Sequence, residues 1–211
     1  MIYELRTYTC KQGTVADIAK AFATVAAEIR KDDYGKLEGF WITEIGPLNQ
    51  VVHLWSYRDV GERQHLRAEL AKIPRWNSEF LANTRPHYVR QDNRLLNGVI
   101  GPVAPASGPN FYEMRNYRVR PGALAEWVGM FRKALLAREK YSKIVGLWTG
   151  EAGQPNEVLH IWAYPDLNAR VAARAAANKD PDWQQFIKDS SGMLDEMQTT
   201  IMVPGAHSPL K

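Results

Sequence analysis

Cys10 is the only cysteine in 211 residues. That excludes an internal disulfide and any multi-thiolate metal site, and it fits a reducing compartment. At a strand end, a lone thiol of this kind is expected to be inert. No apolar run approaches the twenty or so residues needed to cross a bilayer as a helix. The opening Met1-Ile2-Tyr3-Glu4 lacks the charged-then-apolar pattern of a secretion signal. A soluble, cytoplasmic protein with no membrane partner is therefore expected. Lys/Arg runs are also missing. The formal net charge of +4 is spread among acids, which argues against nucleic acid as a partner. Glycine-rich phosphate loops, nucleophile elbows and tight metal-ligand spacings are absent, so no cofactor and no metal are expected.

What the chain does have, it has twice. Tyr3-Glu4-Leu5-Arg6-Thr7-Tyr8 returns as Tyr112-Glu113-Met114-Arg115-Asn116-Tyr117, and Gly13 and Gly122 follow at matched distances. Gly39-Phe40-Trp41 returns as Gly146-Leu147-Trp148. Val51-Val52-His53-Leu54-Trp55-Ser56-Tyr57 returns as Val158-Leu159-His160-Ile161-Trp162-Ala163-Tyr164, and Pro74 and Trp76 are echoed by Pro181 and Trp183. A period of roughly 107–109 residues is far above that of solenoid repeats, so each copy is a small domain. The composition, 45% hydrophobic and 24% charged, is that of an ordinary globular chain.

In the first copy the pattern predicts a strand over 2–9, a glycine break, and a helix over 14–31. Val15, Ile18, Phe22, Ala26 and Ile29 give that helix an apolar face. Strands over 40–45 and 51–57 follow, joined by a turn-rich Gly46-Pro47-Leu48-Asn49. Asp59 is placed as a helix N-cap with Glu62 as its capping-box partner, and Pro74 interrupts that helix. A last strand over 87–91 closes the copy, and the second copy repeats the scheme. The order β-α-β-β-α-β is a ferredoxin-like split unit, and the fold class is α+β with antiparallel sheets. The expected domains are 1–91 and 111–211, with 92–110 as a Pro/Gly-rich linker.

Strand alternation divides the third strand into Val52, Leu54 and Ser56 on one face and His53, Trp55 and Tyr57 on the other. Glu4, Arg6 and Tyr8 are expected to join the second set, as Glu113, Arg115 and Tyr117 join His160, Trp162 and Tyr164. The expectation is that aliphatic residues meet the helices. The polar-aromatic faces of the two copies would then pack front to front around a lumen, as a (pseudo)dimeric barrel within one chain or a homo-oligomer. His53 and His160 are candidate general bases, or else histidines satisfied across the sheet. Arg6 and Arg115 would hold a substrate carboxylate or enolate-like oxygen with Glu4 and Glu113 orienting them, or simply form ion pairs. Tyr8, Trp41, Trp55, Tyr57, Tyr117, Trp148, Trp162 and Tyr164 would stack on an aromatic ligand or fill the space. The function expected is binding of a small apolar or aromatic molecule in that inter-sheet cavity by a cofactor-independent enzyme. Its reaction would be proton abstraction leading to isomerisation, elimination or oxygen insertion. The alternative is a non-catalytic protein-interaction or ligand-binding module.

The Glu-Leu-Arg-Thr-Tyr opening, the glycine before the first helix, Gly-x-Trp in the second strand and His-x-Trp-x-Tyr in the third resemble the NIPSNAP family. That family belongs to the wider dimeric α+β barrel group. The resemblance covers each copy nearly end to end, with its motifs in order, twice. It implies the ferredoxin-like fold and a sheet-to-sheet barrel. On function it implies less: animal members are associated with mitochondria and protein interactions. The wider group holds cofactor-free monooxygenases, small-ring isomerases and haem-binding or haem-degrading proteins. Metal or haem at His53 or His160 would rest on that analogy alone.

Overall fold

A computed structural model describes all 211 residues. Two compact units emerge: residues 1–97 with 202–210, and residues 98–201 with 211. The first unit carries strands β1 (Ile2–Cys10), β2 (Lys36–Ile45), β3 (Gln50–Tyr57) and β4 (Tyr88–Ile100, to residue 97). Its sheet runs in the order β4-β1-β3-β2, antiparallel throughout. Helix α1 (15–30) links β1 to β2, and α2 (Val60–Ala71) and α3 (76–84) link β3 to β4. The second unit repeats this with β5 (Phe111–Val119), α4 (Leu124–Arg138), β6 (Ile144–Ala152), β7 (Glu157–Tyr164), α5 (Leu167–Ala177), α6 (Pro181–Asp189) and β8 (Leu194–Pro204). The fold is thus α+β, built from tandem ferredoxin-like βαββαβ repeats.

Local chemistry explains the elements. Asp59 caps α2 by accepting from the Glu62 backbone N–H at 2.8 Å, and Glu62 returns a bond to the Arg58 N–H. Asp166 caps α5 in the same way through Ala169 at 2.7 Å. Pro181 opens α6 at a position that tolerates its missing donor, with Asp180 as the cap. Gly39 and Gly146 serve another need: a Cβ added there would lie 2.1 and 2.2 Å from the rings of Trp41 and Trp148. Only glycine lets those indoles lie flat on their own strand.

The two copies differ in length inside two helices, and both extra residues belong to the first copy. Phe22 matches Phe131 and Arg30 matches Arg138, yet the first pair is separated by one more residue. The surplus sits in a π-helical turn, Phe22–Ala26, where α4 is regular. Likewise Trp76 and Phe80 match Trp183 and Phe186, with one extra residue held in the π-helical Trp76–Leu81 while α6 is regular. A π turn absorbs an insertion as a local bulge. The side chains on either side of it therefore keep the same face toward the sheet.

Two expectations are corrected. Residues 92–100, read as the front of a linker, are strand: Asn93 pairs with Arg6 and Leu95 with Glu4. Their alternation outweighs the single Gly98, whereas the prolines fall after residue 101. The faces are also reversed. Phe22, Trp76 and Phe80 of the helices pack on Tyr8, Phe40 and Val51, and ring contacts join Phe22 to His53 at 5.0 Å. The polar-aromatic face therefore looks onto the unit's own helices, and the aliphatic set lies buried on the sheet's other side. The helices present Phe22, Trp76 and Phe80 beside Ile18 and Leu70, so the aromatic sheet face meets rings as well as aliphatic side chains.

Candidate functional site

Strand register brings the candidates together. In the β1–β3 pair Arg6 stands opposite His53, Glu4 opposite Trp55 and Ile2 opposite Tyr57. In β5–β7 Arg115 stands opposite His160 and Glu113 opposite Trp162. These residues share one face in each unit, because directly paired residues point the same way. Trp41 does not join them. It pairs with Val52, and Trp148 with Leu159, so both indoles lie on the opposite, aliphatic face. Their neighbours Phe40 and Leu147, paired with the histidines, take the place expected of the tryptophans.

Each histidine is held by the tryptophan two residues on. Trp55 Nε1 donates to His53 Nδ1 at 2.6 Å, and Trp162 Nε1 donates to His160 Nδ1 at 2.7 Å. An indole nitrogen only donates, so Nδ1 must be the acceptor and Nε2 carries the proton. Nε2 has no hydrogen-bond partner within the protein in either ring. Burial holds both imidazoles well below the usual histidine range, with Arg6, Arg30 and His207 adding to it for His53 and Arg115, Arg138 and Arg174 for His160. That arrangement leaves neither ring a free lone pair for the general-base role expected of them. The lone pair is occupied, and the free atom is an N–H donor.

The carboxylates take their hydrogen bonds through Oε1, and Oε2 of each is buried without a hydrogen-bond partner. Glu4, fully buried, receives Arg6 at 3.1 Å, Arg67 at 3.5 Å and a close Arg63. Glu113 receives Arg115 at 3.1 Å, Arg170 at 2.6 Å, Arg174 at 3.8 Å and the Thr199 hydroxyl at 3.1 Å. Burial alone would raise both carboxyls, but Arg6 and Arg63 outweigh it at Glu4, and Arg170 and Arg115 at Glu113. Both stay ionised and below the ordinary carboxylate range. Tyr8 accepts from Arg6 Nη1 at 2.8 Å.

The sequence reading missed a second arginine pair. The Arg30 guanidinium lies 3.5 Å from the Trp55 ring centre, and that of Arg138 lies 4.5 Å from the ring of Trp162. Tyr164 accepts from Arg138 Nη2 at 3.1 Å, and Tyr57 bonds Arg30. Those two tyrosines hold arginines rather than line a cavity. The signal was present: Arg63/Arg170 and Arg67/Arg174 recur 107 residues apart and Arg30/Arg138 one residue further, yet helix arginines read as solvated surface.

In each unit these groups border a cavity between sheet and helices. In the second it measures about 420 Å³, with Arg115, Tyr117, His160 and Trp162 on the sheet side and Trp127, Phe131, Trp183 and Phe186 on the helix side. The first unit has a counterpart of about 390 Å³, bordered by Arg6, Tyr8, His53, Phe22, Trp76 and Phe80. The inter-sheet placement expected for these residues is thus replaced by a helix-side one. Among His, Cys, Asp and Glu no cluster of three could hold a metal ion.

Comparison with known proteins follows the same lines. The NIPSNAP family profile matches residues 3–99 and 112–209. Human NipSnap homolog 2 is 32% identical over 217 residues, covering the whole chain and 75% of the human protein. Drosophila melanogaster NipSnap is 28% identical over 99% of the chain and 78% of its own length. Among solved structures, a candidate monooxygenase from Lactobacillus acidophilus superposes with a TM-score of 0.70 over 97% of this chain and 94% of its own, at 14% identity. That likeness shows the fold alone, the dimeric α+β barrel class. No helix is long and apolar enough to cross a membrane.

Proposed function

The chain belongs to the NIPSNAP family, and we propose that it binds a small, flat aromatic molecule in the helix-side cavity of each unit. One observation carries the reading. Both copies preserve the same wall of rings, Tyr8/Tyr117, Phe22/Phe131, Trp76/Trp183 and Phe80/Phe186, around a cavity of ligand size. Two copies have drifted apart at most surface positions while retaining this lining and the polar groups behind it. The π-helical turns in the first copy preserve the same faces despite two inserted residues.

The charged groups lining each cavity are arginine guanidinium groups, and the histidine Nε2–H adds a further donor. The histidine lone pair at Nδ1 is taken by the neighbouring indole, and each glutamate is held ionised by three arginines. The site therefore suits binding and oxyanion stabilisation. This favours a ligand-binding role.

A thermal-shift screen of one- and two-ring aromatic acids, phenols and lactones tests the reading, since binding to the folded state raises the melting temperature. Ser191 is an exposed lining position, so Ser191→Trp should fold normally while filling the second cavity. A shift that survives Ser191→Trp unchanged would place the ligand outside the second cavity.

A further inference from the structure

Arg30 and Arg138 are each only 4% exposed, and neither has a carboxylate partner. Arg138 donates to the Ser142 hydroxyl at 2.6 Å and the Tyr164 hydroxyl at 3.1 Å. Arg30 donates to the Tyr34 carbonyl at 2.6 Å. All these acceptors are neutral. A buried guanidinium cannot shed its proton, and a charge out of water without a counter-ion is costly. The other arginines at the site differ, for Arg6, Arg63 and Arg67 share Glu4, and Arg115, Arg170 and Arg174 share Glu113. Three cations to one carboxylate leaves each cluster with surplus positive charge.

The cavity linings show the same imbalance. The second cavity is bordered by Arg115, Arg138, Arg174 and His160, with no aspartate or glutamate. The first is bordered by Arg6, Arg30, Arg67, Arg85 and His53, again with no acid. Into this setting the buried imidazoles bring an Nε2–H that no protein group accepts.

We infer that the natural ligand is an aromatic anion, a carboxylate or phenolate. Its charged oxygen is the missing counter-ion of Arg138 (Arg30 in the first unit) and the acceptor for His160 Nε2–H (His53 in the first unit). The inference rests on the proposed aromatic-binding function and adds the charge of the ligand to it. The rings of the ligand meet Phe131, Trp183 and Phe186, while the oxygen meets the arginine and histidine. Arg138 stacks on Trp162 and is braced by Tyr164, so its guanidinium is oriented before the ligand arrives.

The test is isothermal titration of the full chain with 2-naphthoate and with 2-naphthamide, its neutral isostere, at pH 7. A charge-assisted hydrogen bond to a buried arginine predicts naphthoate binding tenfold or more tighter than the amide. Arg30→Met/Arg138→Met should abolish that preference and leave amide affinity within about twofold. Arg30→Lys/Arg138→Lys should keep part of it. Equal binding of acid and amide by the wild type would overturn the anion inference while leaving the aromatic site standing. Binding of neither would remove the aromatic reading and this inference with it. The wild-type comparison needs no variant, so it decides even if the methionine substitutions fail to fold.

Discussion

Trp162 donates its indole N–H to Nδ1 of His160 across 2.7 Å, and this contact decides which nitrogen of the imidazole carries the proton. Trp55 and His53 repeat the arrangement at 2.6 Å. A side chain that cannot accept a hydrogen bond has thereby turned a titratable ring into a fixed donor. The consequence is open to measurement at the tautomer itself.

In ¹⁵N-labelled protein, both histidines should appear as single neutral tautomers protonated at Nε2 from about pH 6 to 8. Trp162→Phe keeps the aromatic bulk but removes the donor. His160 should then populate its Nδ1–H form, while burial and the neighbouring arginines keep it below the usual histidine range. An unchanged His160 spectrum in Trp162→Phe would show that something else fixes the ring.

Stability should fall as the solution is acidified below about pH 6.5, the unfolded histidine value. The sign follows from proton counting. His53 and His160 have depressed folded pKa values, so the unfolded chain binds more protons and acid favours it. Each ring contributes about 1.4 kcal/mol per pH unit inside the window between its unfolded and folded pKa values. Urea melts at pH 7, 6 and 5 would give the slope. His53→Gln/His160→Gln should flatten it, leaving only the carboxylate-driven loss at lower pH.

Gly146→Ala should cost about 1–3 kcal/mol, because the new methyl would overlap the Trp148 ring. That indole lies on the face away from the cavity, so naphthoate affinity should hold in the protein that remains folded. Thermal melts paired with titration separate the two effects. Loss of affinity at unchanged stability would mean that Trp148 reaches the ligand after all.

Tyr164→Phe removes one acceptor from Arg138 and nothing from the cavity wall. Loss of one such bond is worth about 1 kcal/mol. A roughly fivefold weaker naphthoate affinity is expected, with 2-naphthamide unaffected and the melting temperature nearly constant.

Much of this was legible in the sequence for a physical reason. Period-two alternation fixes which residues of one strand share a face, so His53 with Trp55, and Glu4 with Arg6, could be grouped without coordinates. Alternation says nothing about which layer a face meets. Nor does it report the register between strands, so Trp41 enters the ring-stacking set with Trp55 and Phe40 does not. A bulge between Leu37 and Gly39 shifts that pairing, and no local signal announces it. Arg30 and Arg138 were hidden differently. On a helix, arginine is usually solvated, and only its recurrence in the second copy sets these two apart. A strict period would still have misaligned them, because the π turn beside Phe22 changes the offset by one residue.

The duplicated segments and the compact units are not the same objects. Residues 202–210 close the first unit, where Gly205 N–H bonds the Phe40 carbonyl at 2.9 Å and Phe40 N–H bonds the Ser208 hydroxyl at 3.0 Å. The second unit starts at residue 98, where Val103 N–H reaches the Val145 carbonyl at 2.7 Å. A gene severed at the repeat boundary would encode two polypeptides, the first lacking the end of its own body. Each unit thus borrows chain from beyond its own repeat. Loss or fusion of a single copy would have to rebuild a terminus as well as a site.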